Sequence, residues 1–538
     1  MKERNRASAA VLAMALAGAC GSAPAQAPAA PATLAPAPEP VFAIRGFQVT
    51  GDNPLSPSDT ARVLAPFIRP DATMAGLQQA TVALETALRE RGYGLHRVAL
   101  PPQEVGGGTV RLEVVRFTVS KVAIEGAQIY GEGNLRRTVP ELQEGQTPNF
   151  KRLAVQTANA NENPNKQVQV GLREAAEADR IDATITVKES RPWSFAVNAS
   201  NTGSESTGRD RLTVAGSHSN LFDRDHQFTG AYTTSIEQTD DVRQLGLAYK
   251  VPLYELGGVV GASYTRSDVV GDFGAFTSTG AGHTAGLSYT HYLAPQGGRR
   301  SYVSIGLEDK VFEATRINDL LVPGALDRRS RPLVLGYNAR TESNSAVWGY
   351  DIALAFNLGG GRGNDLASYR SEDPRVGTTR WKALRGGINW ASPLGQGGWL
   401  FAAQAQYQYS PDVLIAGEQF GLGGYGSVRG TGIERPLSAD KGLAGTLELS
   451  TPELAPGLRL FGFTDAGQLW NNDPDGLVKL SSDRLAGVGA GLRFSRGAVV
   501  ASIEYGRLVT GSRVSRAFNT AAPERGDDRV YLNLGIRF

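Results

Sequence analysis

Residues 530–538 read Val530-Tyr531-Leu532-Asn533-Leu534-Gly535-Ile536-Arg537-Phe538. In an extended chain successive side chains alternate faces, so Val530, Leu532, Leu534, Ile536 and Phe538 share one side and Tyr531, Asn533, Gly535 and Arg537 the other. One face suits an apolar medium and the other water. The same period of two runs through Leu245-x-Leu247-x-Tyr249-x-Val251-x-Leu253, Ala403-x-Ala405-x-Tyr407-x-Tyr409 and Val499-x-Ala501-x-Ile503-x-Tyr505. Sixteen such segments begin near residues 192, 211, 226, 243, 257, 283, 300, 331, 346, 379, 398, 442, 457, 484, 497 and 529, with Gly, Asn, Asp and Pro clusters between them.

Working outward, composition divides the chain near Arg191. Of its 65 glycines 15 precede that residue, and only 7 of its 42 aromatic residues do; all six tryptophans (Trp193, Trp348, Trp381, Trp390, Trp399, Trp470) follow it. Alternation alone would also suit a soluble sandwich or a propeller. Three features select a membrane barrel instead: an export segment, aromatic residues near strand ends as an interfacial girdle requires, and a final amphipathic strand ending on Phe538. In lipid every backbone donor and acceptor pairs internally, so strands span only as a closed barrel. The expectation is a sixteen-stranded antiparallel transmembrane barrel over 191–538 with an aqueous lumen.

The export segment is residues 1–27. Lys2, Arg4 and Arg6 precede an apolar run from Ala7 to Ala19, too short to span a bilayer and suited to a signal peptide. Ala25-Gln26-Ala27 offers a small-x-small cleavage site, and lipidation of Cys20 is the competing reading. Cys20 is the only cysteine, which excludes internal disulfides and cysteine metal clusters. Residues 28–40 form a Pro/Ala-rich spacer that extends rather than packs.

Between the spacer and the barrel, two stretches repeat one order. In 41–116, a strand-like run from Phe42 precedes helical patterns around Val63, Leu64 and Phe67 and at Leu77, Thr81, Leu84 and Leu88; strands Leu95–Leu100 and Thr109–Val115 follow. In 117–189, Val119–Gly126 is followed by helical stretches near Leu135–Leu142 and Phe150–Ala160 and by strands Gln167–Leu172 and Ile181–Val187. Both read β-α-α-β-β, which suits a tandem repeat of one α+β module, with two unrelated small α+β domains as the alternative.

Catalysis finds no support. His96, His218, His226, His283 and His291 make no metal-ligand spacing, no GxSxG or Walker sequence is present, and no cofactor is expected. His283 and His291 read as girdle or lumen residues. Lys plus Arg is 55 against 53 Asp plus Glu, a net charge of +2, without the basic excess that phosphate neutralisation by a nucleic-acid binder needs. The unusual stretch is Gly421-Leu422-Gly423-Gly424-Tyr425-Gly426-Ser427-Val428-Arg429-Gly430-Thr431-Gly432, in which an apolar residue and a cation sit among six glycines. It suits a loop tip that folds back into the pore and sets Arg429 against a partner. Further on, Phe461-Gly462-Phe463-Thr464-Asp465-Ala466-Gly467 puts a lone carboxylate, Asp465, on a strand, where it must face water or a cation.

These residues carry a resemblance. Gly423-Gly424-x-x-Ser427-Val428-Arg429-Gly430 on the sixth surface loop, with Phe463-x-Asp465-x-Gly467 on the thirteenth strand, resembles the outer-membrane transporters of two-partner secretion, the haemolysin secretion and activation proteins also called TpsB. Asn220-Leu221-Phe222-Asp223-Arg224-Asp225 also resembles the family's Asn-Leu-Phe-Gly-x-Gly-Asp turn after the second strand. The resemblance implies two periplasmic POTRA domains at 41–116 and 117–189, a lumenal loop whose Arg429 meets Asp465, and Phe538 as the signal read by outer-membrane assembly machinery. It implies a pore that takes one unfolded exported client (TpsA-like, haemolysin- or adhesin-like) from the periplasm to the surface, the client adding a strand to a module edge. Two departures stand: Thr431 replaces the aromatic usual after Val-Arg-Gly, and the spacer occupies the place of the helix that plugs some members. Alternatives from the residues are a factor that inserts other barrels, against which two modules rather than a longer array argue, a passive porin, which explains neither modules nor loop, and a surface anchor.

Overall fold

In the computed structural model the described residues are 41–538 except 105, 106, 274, 279, 315, 318 and 319; the signal-peptide, Cys20 and spacer expectations lie outside them. The first module contains strands β1 (Gly46–Gly51), β2 (His96–Ala99) and β3 (Thr109–Arg116) and helices α1 (Pro57–Leu64) and α2 (Met74–Glu90). Ser56 and Thr73 cap these helices by accepting from the N–H groups of Asp59 and Gly76. Leu77, Ala80, Leu84 and Leu88, at helical spacing, bury against Val110, Leu112 and Val114. The sheet order is β1-β3-β2, with β1 and β3 parallel. Residues 42–44 do not extend β1: Phe42 and Ile44 pair instead with Ala72 and Arg69.

The second module repeats the plan with β4 (Thr118–Glu125), α3 (Glu132–Thr138), α4 (Phe150–Ala160), β5 (Lys166–Glu174) and β6 (Arg180–Glu189), in sheet order β4-β6-β5. The first helix is shorter than the Leu135–Leu142 reading, because Pro140 disfavours the helical conformation of the residue before it. The modules lock together tightly. The N–H of Phe150 donates to the carbonyl of Gly92, and Asn149 Nδ2 to that of Arg91; Gly92 and Gly94 leave no room for a β-carbon beside Asn149 and Phe150.

The barrel strands are β7 (Trp193–Ser200), β8 (Arg211–Leu221), β9 (His226–Thr234), β10 (Arg243–Leu253), β11 (Gly258–Ser267), β12 (Gly282–Tyr292), β13 (Arg299–Phe312), β14 (Pro332–Glu342, prolonged by Arg328–Ser330), β15 (Val347–Asn357), β16 (Lys382–Leu394), β17 (Trp399–Tyr409), β18 (Lys441–Ser450), β19 (Leu458–Trp470), β20 (Ser482–Arg496), β21 (Val499–Thr510) and β22 (Asp528–Arg537). Each begins within three residues of its expected start. All neighbours are antiparallel, and β22 closes on β7 from Asn533↔Ser200 to Arg537↔Ala196. Leu245, Leu287, Ile305, Ile388, Leu447, Ile503 and Leu534 are exposed on the outer wall, the arrangement a bilayer requires. Trp193, Trp348, Trp390 and Trp399 mark the module-proximal rim as a girdle. Trp381 departs from it: fully buried, it packs with Tyr369, Leu414 and Ile415 in the surface loops.

Candidate functional site

The loop between β17 and β18 folds into the lumen and lies on β18–β21. Its bed is made by glycines at inward positions: a β-carbon on Gly487 would meet the Arg429 carbonyl at 2.6 Å, and one on Gly506 the Arg429 Cβ at 3.0 Å. Gly423, Gly424 and Gly430 have φ of +94°, +107° and +113°, a conformation open to glycine at little cost. They turn the chain so that the N–H of Gly424 meets the carbonyl of Val428, and that of Ser427 the carbonyl of Gly424. Val428 is thereby buried among Leu422, Leu437, Ala444, Leu469, Leu485 and Leu508.

Arg429 then has one orientation. Its Nε and Nη2 donate to Asp465 at 2.8 and 2.9 Å in the bidentate fork that guanidinium and carboxylate favour, and its backbone N–H adds a bond to the same carboxylate at 3.1 Å. Its Nη1 donates to Glu504 on β21 at 2.8 Å. The guanidinium carbon lies 3.3 Å from the ring centroid of Phe463, a cation–π contact. Each letter of Phe463-x-Asp465-x-Gly467 therefore has a part: the ring supports the cation, the carboxylate holds it, and Gly467 leaves space for the Leu422 side chain. All three ionic partners are buried, so the pairing must offset their lost hydration, and losing Arg429 strands both carboxylates.

The structure adds residues that sequence reading did not single out. Tyr425 donates to Glu504 at 3.0 Å, and Tyr531 of β22 accepts from the N–H of Gly430 at 3.0 Å. Tyr531 also donates to the carbonyl of Thr431, so a wall residue grips the loop just after Arg429. The loop's root is held separately: Glu418 is buried and accepts from Ser330 at 2.6 Å and Arg385 at 2.8 Å, with Lys310 at 3.4 Å. Phe538 stands apart from this cluster, pairing its N–H with the carbonyl of Phe195 with its ring exposed outward.

Residues 179–494 match the haemolysin secretion/activation protein family ShlB/FhaC/HecB, and residues 42–116 match the ShlB-type POTRA domain. The chain belongs to the ShlB/FhaC/HecB family. It is an outer-membrane transporter of two-partner secretion, with its POTRA modules in the periplasm. Among its relatives is the outer membrane transporter CdiB of Escherichia coli, 25% identical over 89% of this chain and 82% of the relative. CdiB of Dickeya dadantii is 22% identical over 81% and 78%. The solved CdiB structures from Escherichia coli and Acinetobacter baumannii share the fold, with TM-scores of 0.72 and 0.70, identities of 22% and 17%, and coverage of 95% and 93% of this chain and 93% and 90% of theirs.

The stretch 220–225, which resembles the family's Asn-Leu-Phe-Gly-x-Gly-Asp turn, joins β8 to β9. Asp223 and Asp225 occupy its glycine positions, and both adopt the positive φ that glycine would, as does Phe222. Asp225 uses this pose to bind the second module. Lys166 Nζ, fully buried, lies 2.5 Å from Asp225 Oδ2 and donates to Asn134 and Thr138 at 2.8 and 3.1 Å. Tyr254, in the turn after β10, donates to the same carboxylate at 2.7 Å. Burial pushes the Lys166 ammonium below the usual lysine range despite this carboxylate, and raises the Tyr254 hydroxyl well above the usual tyrosine range.

Proposed function

We propose that the chain captures one exported, unfolded TpsA-like partner, haemolysin- or adhesin-like, through residues 41–116 and 117–189 and passes it through the barrel of 191–538. Residues 1–27 act as the leader and 28–40 as a spacer, and Phe538 is the feature that outer-membrane assembly machinery reads. Arg429, Asp465 and Glu504 hold the lumenal loop as a releasable constriction. The observation that carries this reading is the seat of Arg429: a bidentate ion pair made by a loop rather than a strand can be undone without breaking the barrel's ladder.

Recognition by strand addition is supported by a difference between the modules. Gly46, Gln48 and Thr50 of β1 face β3, so the N–H and C=O groups of Phe47 and Val49 point to the open edge. In the second module the position matching Phe47 is Val122, whose N–H is taken by Glu144 and whose carbonyl is taken by Arg136. The first module thus offers the freer edge for an extended partner. The test is deletion of 41–116. Export of the partner is expected to stop while heat-modifiable barrel yield is unchanged, and secretion at the full-length level would defeat the reading.

A further inference from the structure

The lumen wall has two halves. Loop residues 410–440 rest on the glycine-lined half, whereas β7–β12 point hydroxyl and amide groups inward, among them Asn198, Thr213, Ser217, Ser263, Thr265 and Ser288. Many bond across strands, as Ser194 with Ser217 at 2.8 Å, Thr213 with Thr233 at 2.6 Å and Gln244 with Ser267 at 3.0 Å. Three cavities lie along this half. One of about 110 Å³ opens beside the second module, between Glu162 and Lys250; one of about 440 Å³ lies against Ser263, Thr265 and Thr284; and one of about 570 Å³ lies between Asn198 and Tyr425.

A hairpin from the loop between β11 and β12 stands in this row. Its strands are Gly271–Phe273 and Phe276–Ser278; Phe276–Ser278 line the middle cavity and Val270 and Gly271 the upper one. Phe276 is buried against Ala215, Ala231 and Ala248, inward positions of three adjacent strands. At Gly246 a β-carbon would collide with its ring. Three alanines and a glycine at neighbouring inward positions make a socket of one ring's size.

We propose that the exported chain climbs the hydroxyl-lined wall of β7–β12 in extended form and that Phe276, seated in its alanine and glycine socket, is the closure it displaces. This rests on the secretion reading above and names the path. Hydroxyl and amide groups both donate and accept, so they satisfy a passing backbone whatever its sequence, without the tight hold that would stop transit. The cavities begin at Glu162 of the second module, where a client released from the periplasmic edges would arrive.

The test uses the full chain in planar lipid bilayers, with potassium chloride current and an uncharged, unstructured glycine–serine peptide as probes. Phe276→Ala is expected to raise conductance severalfold and to admit the peptide as a reversible blocker. Gly246→Val, which expels the ring from its socket, is expected to do the same, and heat-modifiable mobility confirms that each barrel is folded. Adding Ser263→Trp to Phe276→Ala is expected to return the current toward the parent level. Unchanged current in both single variants, or full current in the double variant Phe276→Ala/Ser263→Trp, overturns the path. If the parent chain exports its partner and Arg429→Ala alters its current while Phe276→Ala does not, the secretion reading stands and this inference alone falls.

Discussion

Arg429 Nη1 lies 2.8 Å from Oε2 of Glu504, two strands beyond Asp465. The guanidinium is therefore shared, and the loop tip is tied to both β19 and β21. A pairing of Arg429 with Asp465 alone would make their two losses equivalent. The third member removes that symmetry.

Arg429→Ala leaves two buried carboxylates facing one another and is expected to cost the loop anchor about 3–5 kcal/mol. Asp465→Ala leaves Glu504 to hold the cation and should cost less, about 1.5–3 kcal/mol, the value of the charged hydrogen bonds removed. Export should fall, and single-channel conductance rise, in the order wild type, Asp465→Ala, Arg429→Ala. The double variant Asp465→Ala/Glu504→Ala should fall with Arg429→Ala. Equal defects in the two single variants would remove Glu504 from the site.

The bed can be tested without touching a charge. Gly487→Ala puts a methyl group where the Arg429 carbonyl lies, at 2.6 Å from the new carbon. The loop must lift, so we expect the raised conductance of Arg429→Ala with normal barrel yield. Gly462→Ala, on the same β19–β20 pair but with its nearest neighbour at 3.9 Å, is the control and should behave as wild type.

What was legible followed from physics that acts locally. Alternation had to be written into every spanning strand, because lipid leaves no other way to satisfy the backbone. Arg429 and the Phe463–Gly467 stretch could be singled out because a cation among glycines and a lone carboxylate on an apolar strand are both locally unusual, and in space Arg429 lies on Asp465 and Phe463. Glu504 was hidden because a single inward glutamate in an alternating strand looks the same whether it meets water or a guanidinium. Lys166 and Asp225 were hidden because their contact joins the second module to a barrel turn and belongs to neither pattern. The Phe276 hairpin was missed since strands of three residues have too few positions to show a period.

His96 supplies a pH test in the first module. It is buried beside Tyr93, and burial lowers its imidazole below the usual 6.5, opposed by Asp52 and reinforced by Arg116. The unfolded chain then binds the proton more tightly than the folded one. The contribution of neutral His96 is fully present above pH 6.5 and is lost as pH falls through the lowered value. Protection factors of the β2 and β3 amides in the full chain, taken relative to the intrinsic exchange rate at each pH, should fall on acidification over that window, and His96→Asn should flatten the response. A profile unchanged by the substitution would remove His96 as its source.

Lys166 and Asp225 should govern how the second module sits under the pore. Lys166→Met strands the Asp225 carboxylate in a buried setting, a loss of about 3–5 kcal/mol for such a pair. The module should then swing free, seen as new protease cleavage at 189–192 and reduced export with the barrel intact. Both ends of the pair are buried, so neutralising both should be milder than breaking one and leaving an unpaired charge. Lys166→Met/Asp225→Asn keeps an oxygen for the Tyr254 hydroxyl at 2.7 Å and should recover much of the protection and export. A double variant as defective as Lys166→Met would mean that the module is held by something other than this pair.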